Sequence, residues 1–408
     1  MQAQDLLLFQ AALGLTAPWQ VTSVEFDRDA KRLDLRVDFL KGATFSCPEC
    51  GLAGLKAYDS SEKTWRHMDF WQHQTYLSAR VPRVCCAEHG VRQVGLPWAR
   101  PQSGFTLLFE ALIMAMVAEM PVASLAALVG EHDTRVWRVV HHYVDQAVES
   151  QDLAGLERVG IDETSSRRGH EYVSVFADLD QRRGVFCVEG RDHETVQAFS
   201  LFLQTHGGDV GQVMEVCQDM SEAFLKGTRE NLPEAQITFD RYHVRSHLSK
   251  AVDEVRRQES KHHRELLKNT RYMWLKRPAK LTEKQRDLLD ELLAQPLETV
   301  RAYTLAQQFD SFYEISDPDT AHEYLRRWIV EVDASSLEPV KRFARMLEDH
   351  WSGVIRWHHS QISNGLLEGL NSLIQAAKRR ARGYRSNRNF ITMIYLIVGK
   401  LNAGPVIP

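Results

Sequence analysis

Apolar and polar residues alternate early in the chain, in Val21, Val24 and Phe26 and then in Leu33, Leu35, Val37 and Phe39. A period of two is that of a half-buried strand, so residues 19–40 predict two strands with a turn at Asp27 to Ala30. Another strand is expected over 74–84. From Phe105 the period changes, with Leu107, Leu108, Ala111, Leu112, Ala115 and Met116 recurring every three or four residues, which predicts a helix. Pro121 opens a shorter helix, Gly130 ends it, and Thr134 is expected to cap a third that runs to Val148. Two helices joined by a tight glycine-containing turn make a helix-turn-helix pattern.

Over 159–240 the reading is strand, strand, strand, helix, strand, helix, strand: VGIDET, HEYVSVFADLD, VFCVEG, ETVQAFSLFLQTH, VMEVCQD, SEAFLKGTRENL and AQITFD. A hairpin followed by crossovers implies a mixed sheet covered by helices. Residues 242–350 read as helical and charged throughout. The segment LLEGLNSLIQAAKRRARGY predicts one helix stopped at Gly383, with Leu366, Leu370, Leu373, Ile374 and Ala377 as its buried stripe. Glu368, Asn371, Gln375, Lys378 and Arg382 fall on its other face. The expected fold class is therefore multidomain α/β. Its parts are a β-rich module over 1–101, a helix-turn-helix region over 102–150, a catalytic core beginning at 151–244, a helical insertion over 245–350, and the end of the core with a basic tail over 351–408.

With 408 residues, 44% hydrophobic and 25% charged, the chain builds packed cores and is neither a fibre nor a disordered tail. A net charge of −4 argues against a protein that coats nucleic acid wholesale. The average hides an asymmetry, because after Glu368 there are seven basic residues and no acid, so that end is suited to a polyanion. The start lacks the basic region of a signal peptide and the apolar run Phe390 to Val398 is too short to span a bilayer, so a cytoplasmic location is expected. In a reducing compartment the six cysteines are thiols or metal ligands rather than a disulfide framework.

Candidate chemistry falls in two places. Asp162 lies at the end of the first predicted strand of the core and Asp219 ends the fourth; in this order the two strands can be neighbours, with both carboxylates at their C-terminal ends, where ligand sites collect. Glu368 would join them from the last long helix. Three adjacent carboxylates resist ionising together unless divalent cations neutralise them. Two ions about 4 Å apart clamp a phosphoryl group, and oxygen-only ligands favour magnesium or manganese. Glu163, Asp178 and Asp240 are the rival acids. The second place is the pair Cys47 and Cys50, spaced Cys-x-x-Cys, followed by Cys86 and His89, together a Cys-three-His set for a structural zinc ion. Cys85 competes with Cys86, and His67 or His73 with His89.

Residues IDET, VCQDMS, FDRYHV and NGLLEGLNSLIQAAKRRARGY resemble the bacterial insertion-sequence transposases of the ISL3 family. The resemblance implies a ribonuclease-H-like core, a metal-binding triad of Asp162, Asp219 and Glu368 holding two magnesium or manganese ions, and an N-terminal zinc finger. It implies DNA as partner, both as the terminal inverted repeats of the element and as target, with assembly as a homodimer or larger on paired ends and a place in the bacterial nucleoid. Asp240 and His243 resemble a motif that related transposases share, with a structural or DNA-positioning role. DNA contacts are expected from Arg135 and Arg138 near the start of the third helix of the helix-turn-helix region. The others are expected from Lys378, Arg379, Arg380, Arg382, Arg385 and Arg388 beyond Glu368. The competing readings are a nuclease of the same fold and a DNA-binding regulator with dead chemistry.

Overall fold

The alternation over 19–40 produces the hairpin expected of it. In the computed structural model, which describes residues 3–405 apart from 168, 170 and 277 and leaves out the side chains of 3–5 and 279, the chain divides into two compact units. One is Met1–Val148 with Leu401–Pro408, the other Glu149–Lys400.

The first unit opens with a helix, α1 (Ala3–Ala12), and a sheet made of β1 (Trp19–Asp27), β2 (Arg32–Phe39), β3 (Thr44–Phe45), β4 (Leu55–Phe70), β5 (His73–Cys86) and β6 (Gly90–Gln93). The order is β1-β2-β5-β4-β3, with β6 also on β5; β2 and β5 run parallel and the other pairs antiparallel. Leu33, Leu35 and Val37 on β2 and Leu77, Ala79 and Val81 on β5 are fully buried at alternate positions, as pleating requires. Trp98 packs edge-on between Trp19 and Trp65 at 4.8 and 5.8 Å. Three helices follow: α2 (Leu107–Val117), α3 (Val122–Leu128) and α4 (Asp133–Glu149). α4 starts one residue before the expected cap, because the His132 ring accepts the Thr134 amide and replaces the Thr134 side chain in that task. Beneath α4 the fully buried Glu110 is satisfied by Arg100, Ser103 and Tyr143, which is how a carboxylate survives in a core.

The second unit holds β7 (Arg158–Arg167), β8 (Glu171–Asp178), β9 (Arg183–Glu189), α5 (His193–Thr205), β10 (Glu215–Gln218), α6 (Glu222–Asn231) and β11 (Gln236–Phe239). The sheet order is β11-β10-β7-β8-β9, so the first and fourth strands of the predicted series are neighbours. β7, β10 and β11 are parallel, while β8 and β9 are antiparallel additions. His170, the first residue of the second predicted strand, lies outside the described residues. Val159, Ile161, Val185 and Val216 share a core with Phe199 of α5 and Phe224 of α6.

Helices fill the chain from here to its last described segment: α7 (Arg241–Glu259), α8 (Arg264–Leu267), α9 (Arg271–Leu275), α10 (Glu283–Leu293), α11 (Glu298–Phe312), α12 (Pro318–Asp333), α13 (Glu338–Asp349), α14 (Trp351–Ser360), α15 (Gly365–Arg380) and α16 (Asn387–Val398). α7 to α14 close a second core around Trp274, Phe309, Phe312, Trp328 and Phe343, and α14 packs on β11 where Gly353 faces Phe239. α15 crosses β7 at Gly160. A methyl group there would lie 2.6 Å from Leu367 Cδ1, so the missing side chain lets helix and strand meet. The buried stripe of α15 is Leu367, Leu370 and Ile374, whereas Leu373 is 54% exposed; the helix is turned so that its polar face lies along β7. None of the described helices is long and apolar enough to cross a membrane.

Candidate nucleic-acid processing site

The sheet brings Asp162 and Asp219 level. Cys217 of β10 pairs with Gly160 of β7 in parallel, so two residues further on the chains carry Asp219 and Asp162. Asp162 sits within β7 rather than at its end, because the strand continues through Thr164 and Ser166 while β10 stops at Gln218. Alternation turns Gly160, Asp162 and Thr164 toward α15 and Val159 and Ile161 toward α5 and α6.

α15 is fastened to β7 by a row of side chains one or two helical turns apart. The Asn364 amide donates to the Ile161 carbonyl at 3.0 Å, Asn371 Nδ2 to Asp162 Oδ2 at 2.9 Å, Gln375 Nε2 to Thr164 Oγ1 at 2.8 Å, and Lys378 Nζ to the Ser165 carbonyl at 2.6 Å. Glu368 lies one turn before Asn371 on that helix, which places it beside the strand carrying Asp162. The sequence shows this face as polar, but only the structure shows that it grips a strand.

Electrostatics link Asp162 to Asp219 and Asp240, and Glu368 to Asp240. Burial, with smaller contributions from Asp240 and Asp219, raises the Asp162 carboxyl to about 6 against the nearby His243 ring, whose Nε2 is 3.8 Å from Asp162 Oδ1. Burial and Asp240 also raise Glu368. Asp240 is 1% exposed at the start of α7; its Oδ1 accepts the Asn364 backbone amide, and its Oδ2 has no hydrogen-bond partner among the described residues. Asp219 Oδ1 accepts the Ser221 amide. Of the rival acids, Glu163 is 3.5 Å from Arg191, and Asp178 closes the β8–β9 turn by accepting the amides of Asp180 and Gln181.

The cysteine set forms a second, separate centre in the first unit. Gly51, in a left-handed conformation, donates to the Cys47 carbonyl and Cys47 to that of Leu52, which makes a knuckle ahead of β4. Cys86 ends β5 and His89 lies in the turn to β6. Donor atoms of Cys47, Cys50, Cys86 and His89 all lie within 4.8 Å of one another, the one metal-suited group so gathered among the described residues. Cys50 and Cys86 sulfurs are 3.8 Å apart and Cys86 Sγ is 3.7 Å from His89 Nδ1. Ligands about 2.3 Å (sulfur) and about 2.0 Å (nitrogen) from a zinc ion define a tetrahedron with edges of about 3.8 and 3.5 Å. The donor set therefore fits a structural zinc ion. The hydrogen bond to His89 also draws the Cys86 thiol down to about 6, favouring the thiolate that binds metal. Cys85 points outward, His67 bonds Thr106, and His73 is buried against Phe26, so none of the three competitors belongs to the group.

Sequence profiles of known families match the chain in three places. A transposase profile covers residues 159–394, a helix-turn-helix domain of transposase family ISL3 covers 95–144, and a zinc-finger of the transposases of IS204, IS1001, IS1096 and IS1165 covers 43–89. The chain belongs to the ISL3 family of transposases. The transposase for insertion sequence element IS1557 of Mycobacterium tuberculosis is 27% identical over 96% of this chain and 95% of its own length. That for IS1001 of Bordetella parapertussis is 25% identical over 85% and 87%. The helix-turn-helix and transposase matches indicate that this ISL3 transposase binds DNA.

The expected DNA-contacting residues differ in exposure and in the contacts they make. Arg135 is paired with Glu131 and lies 4.3 Å over the Phe105 ring, whereas Arg138 is exposed on the same helix. Lys378 is committed to Ser165. Arg379, Arg380, Arg382, Arg385 and Arg388 are exposed beyond it. The helix ends at Arg380, three residues before the expected stop at Gly383; the Gly383 amide closes the end by bonding the Lys378 carbonyl while that of Arg382 bonds Arg379.

Proposed function

We propose that this ISL3 transposase cuts DNA at the ends of its insertion sequence and joins them to a target, using Asp162, Asp219 and Glu368 on a ribonuclease-H-like core. The observation that carries the reading is the parallel register of β7 and β10, which sets two carboxylates side by side, with the Glu368 helix tied across β7 next to them. The site's chemistry fits divalent cations: its donors are oxygens, burial and neighbouring acids raise the Asp162 carboxyl, and a buried carboxylate oxygen of Asp240 has no partner among the described residues. When bound, magnesium or manganese, two per site, supplies activation of water and charge neutralisation at the leaving oxygen.

The chain's own groups supply orientation. Asn371 fixes one oxygen of Asp162, and the Glu163 amide holds the other at 2.8 Å, so the carboxylate meets its ligand in one geometry. Water attacks the phosphodiester at the element end and frees a 3′-hydroxyl; that hydroxyl attacks target DNA in line, and no covalent enzyme intermediate forms. Arg138 reads bases, while Arg379, Arg380, Arg382, Arg385 and Arg388 hold phosphates next to Glu368, with Lys378 bracing the strand they flank. Both ends are processed by a dimer or larger assembly.

The experiment is incubation with DNA carrying the element ends, with and without magnesium, followed by mapping of nicks and of joined products. Wild-type protein is expected to nick at the element ends and join them to target DNA. Asp219→Ala is expected to bind those ends and leave them uncut; cutting at the parental rate by Asp219→Ala removes that residue from the mechanism.

A further inference from the structure

A cleft of about 970 Å³ opens between the first half of α7, the residues Leu275, Pro278 and Lys280, the end of α11 and the start of α15, and Glu368 forms part of its wall. We propose that this cleft receives one or two unpaired nucleotides of the DNA strand next to the scissile phosphate, so that the element end is opened locally before it is cut. The inference rests on the transposase reading given above and adds to it where the strand lies and in what state.

Size comes first. Pockets of about 300 to 1,000 Å³ engulf single small molecules. A base pair stacked within a duplex does not enter such a space, whereas an unstacked nucleotide does. Contiguity comes second: because Glu368 belongs to the wall, a strand lying in the cleft leads directly to the carboxylates. The chemistry also suits a nucleotide better than an apolar ligand. The exposed guanidinium of Arg241 is near enough to Glu368 to act on its charge and is placed for a phosphate. The Tyr242 ring is 60% exposed beside it, a surface on which a base can stack. Deeper in the wall, Gln307 Nε2 and the Tyr313 hydroxyl are buried without hydrogen-bond partners among the described residues, and both can bond the edge of a base. This gives the helical segment after β11 a task, since α11 closes the cleft.

The test is permanganate oxidation, which attacks unstacked thymines, on end DNA with thymines at the cleavage position, bound to full-length protein in calcium. Wild type is expected to make those thymines reactive. Ser246→Trp, which fills the cleft, is expected to bind ends, abolish the reactivity and cut paired ends about tenfold more slowly or worse. Tyr242→Ala, a change at an exposed ring, is expected to slow cutting of paired ends similarly and to recover on ends mismatched at that position. Wild type that cuts paired ends without reactive thymines overturns the proposal, as does parental cutting by Tyr242→Ala. Wild type that never cuts its ends in magnesium contradicts the transposase reading itself, and the cleft proposal falls with it.

Discussion

Asp162 carries a proton more readily than an ordinary aspartate, and this has a testable sign. Its carboxyl is raised by burial to about 6, so in metal-free protein the cost of ionising it is absent at low pH and complete above about 6. Asp162→Asn, which keeps one of the two accepting oxygens, is expected to be more favourable to the metal-free protein at pH 7.5 than at pH 3.5 by about 1 to 3 kcal/mol. Urea unfolding in EDTA at the two pH values measures this; equal effects at both would contradict it. The stabilisation that magnesium gives wild type is expected to shrink as pH falls through about 6, since protons compete for the same oxygens.

The two arginines of α4 separate in the same way. Arg135→Ala removes contacts with Glu131 and the Phe105 ring and is expected to lower the melting temperature of the protein. Arg138→Ala is expected to leave melting unchanged and to weaken binding to the preferred end sequence by about 1 to 3 kcal/mol. Melting curves and competition binding distinguish them, and reversed outcomes would reverse the roles. The sequence placed both on one helix but could not show which was committed, since Glu131 and Phe105 reach Arg135 from outside that helix.

At the scale of elements, what was legible followed periodicity. The β7 to β11 series and its intervening helices appear in the expected order, because each strand is apolar enough to declare itself. β4 did not: its run Tyr58-Asp59-Ser60-Ser61-Glu62-Lys63 is polar, and it is a strand because it pairs with β5 over most of its length. Leu373 was misplaced for a related reason. The helix pattern alone admits two rotations, and the bonds from Asn371 and Gln375 to β7 choose the one that leaves Leu373 in solvent. The knuckle before β4 and the β5–β6 turn meet at the cysteine cluster, so Cys86→Ser is expected to lose one equivalent of zinc and the end binding that depends on the first unit. Metal analysis and gel retardation check this; full zinc content in Cys86→Ser would exclude that ligand. The choice of Cys86 over Cys85 was beyond the sequence, since neighbours on a strand face opposite ways and the pattern does not say which way the cluster lies.

Across the whole molecule, charge separates the work. Asp162 is carried by β7, Asp219 follows β10, Asp240 precedes α7 and Glu368 lies on α15, and the exposed arginines follow Glu368 along α15, the turn beyond it and the start of α16. Phosphate contacts of that kind make binding fall steeply with salt. The central claim is that Asp162, Asp219 and Glu368 share paired cations. The most direct test is anomalous diffraction from crystals of the end-bound protein soaked in manganese. Two peaks about 4 Å apart, with all three carboxylates among their ligands, are expected. Ions bound elsewhere, or a pair that Glu368 does not touch, would contradict the account.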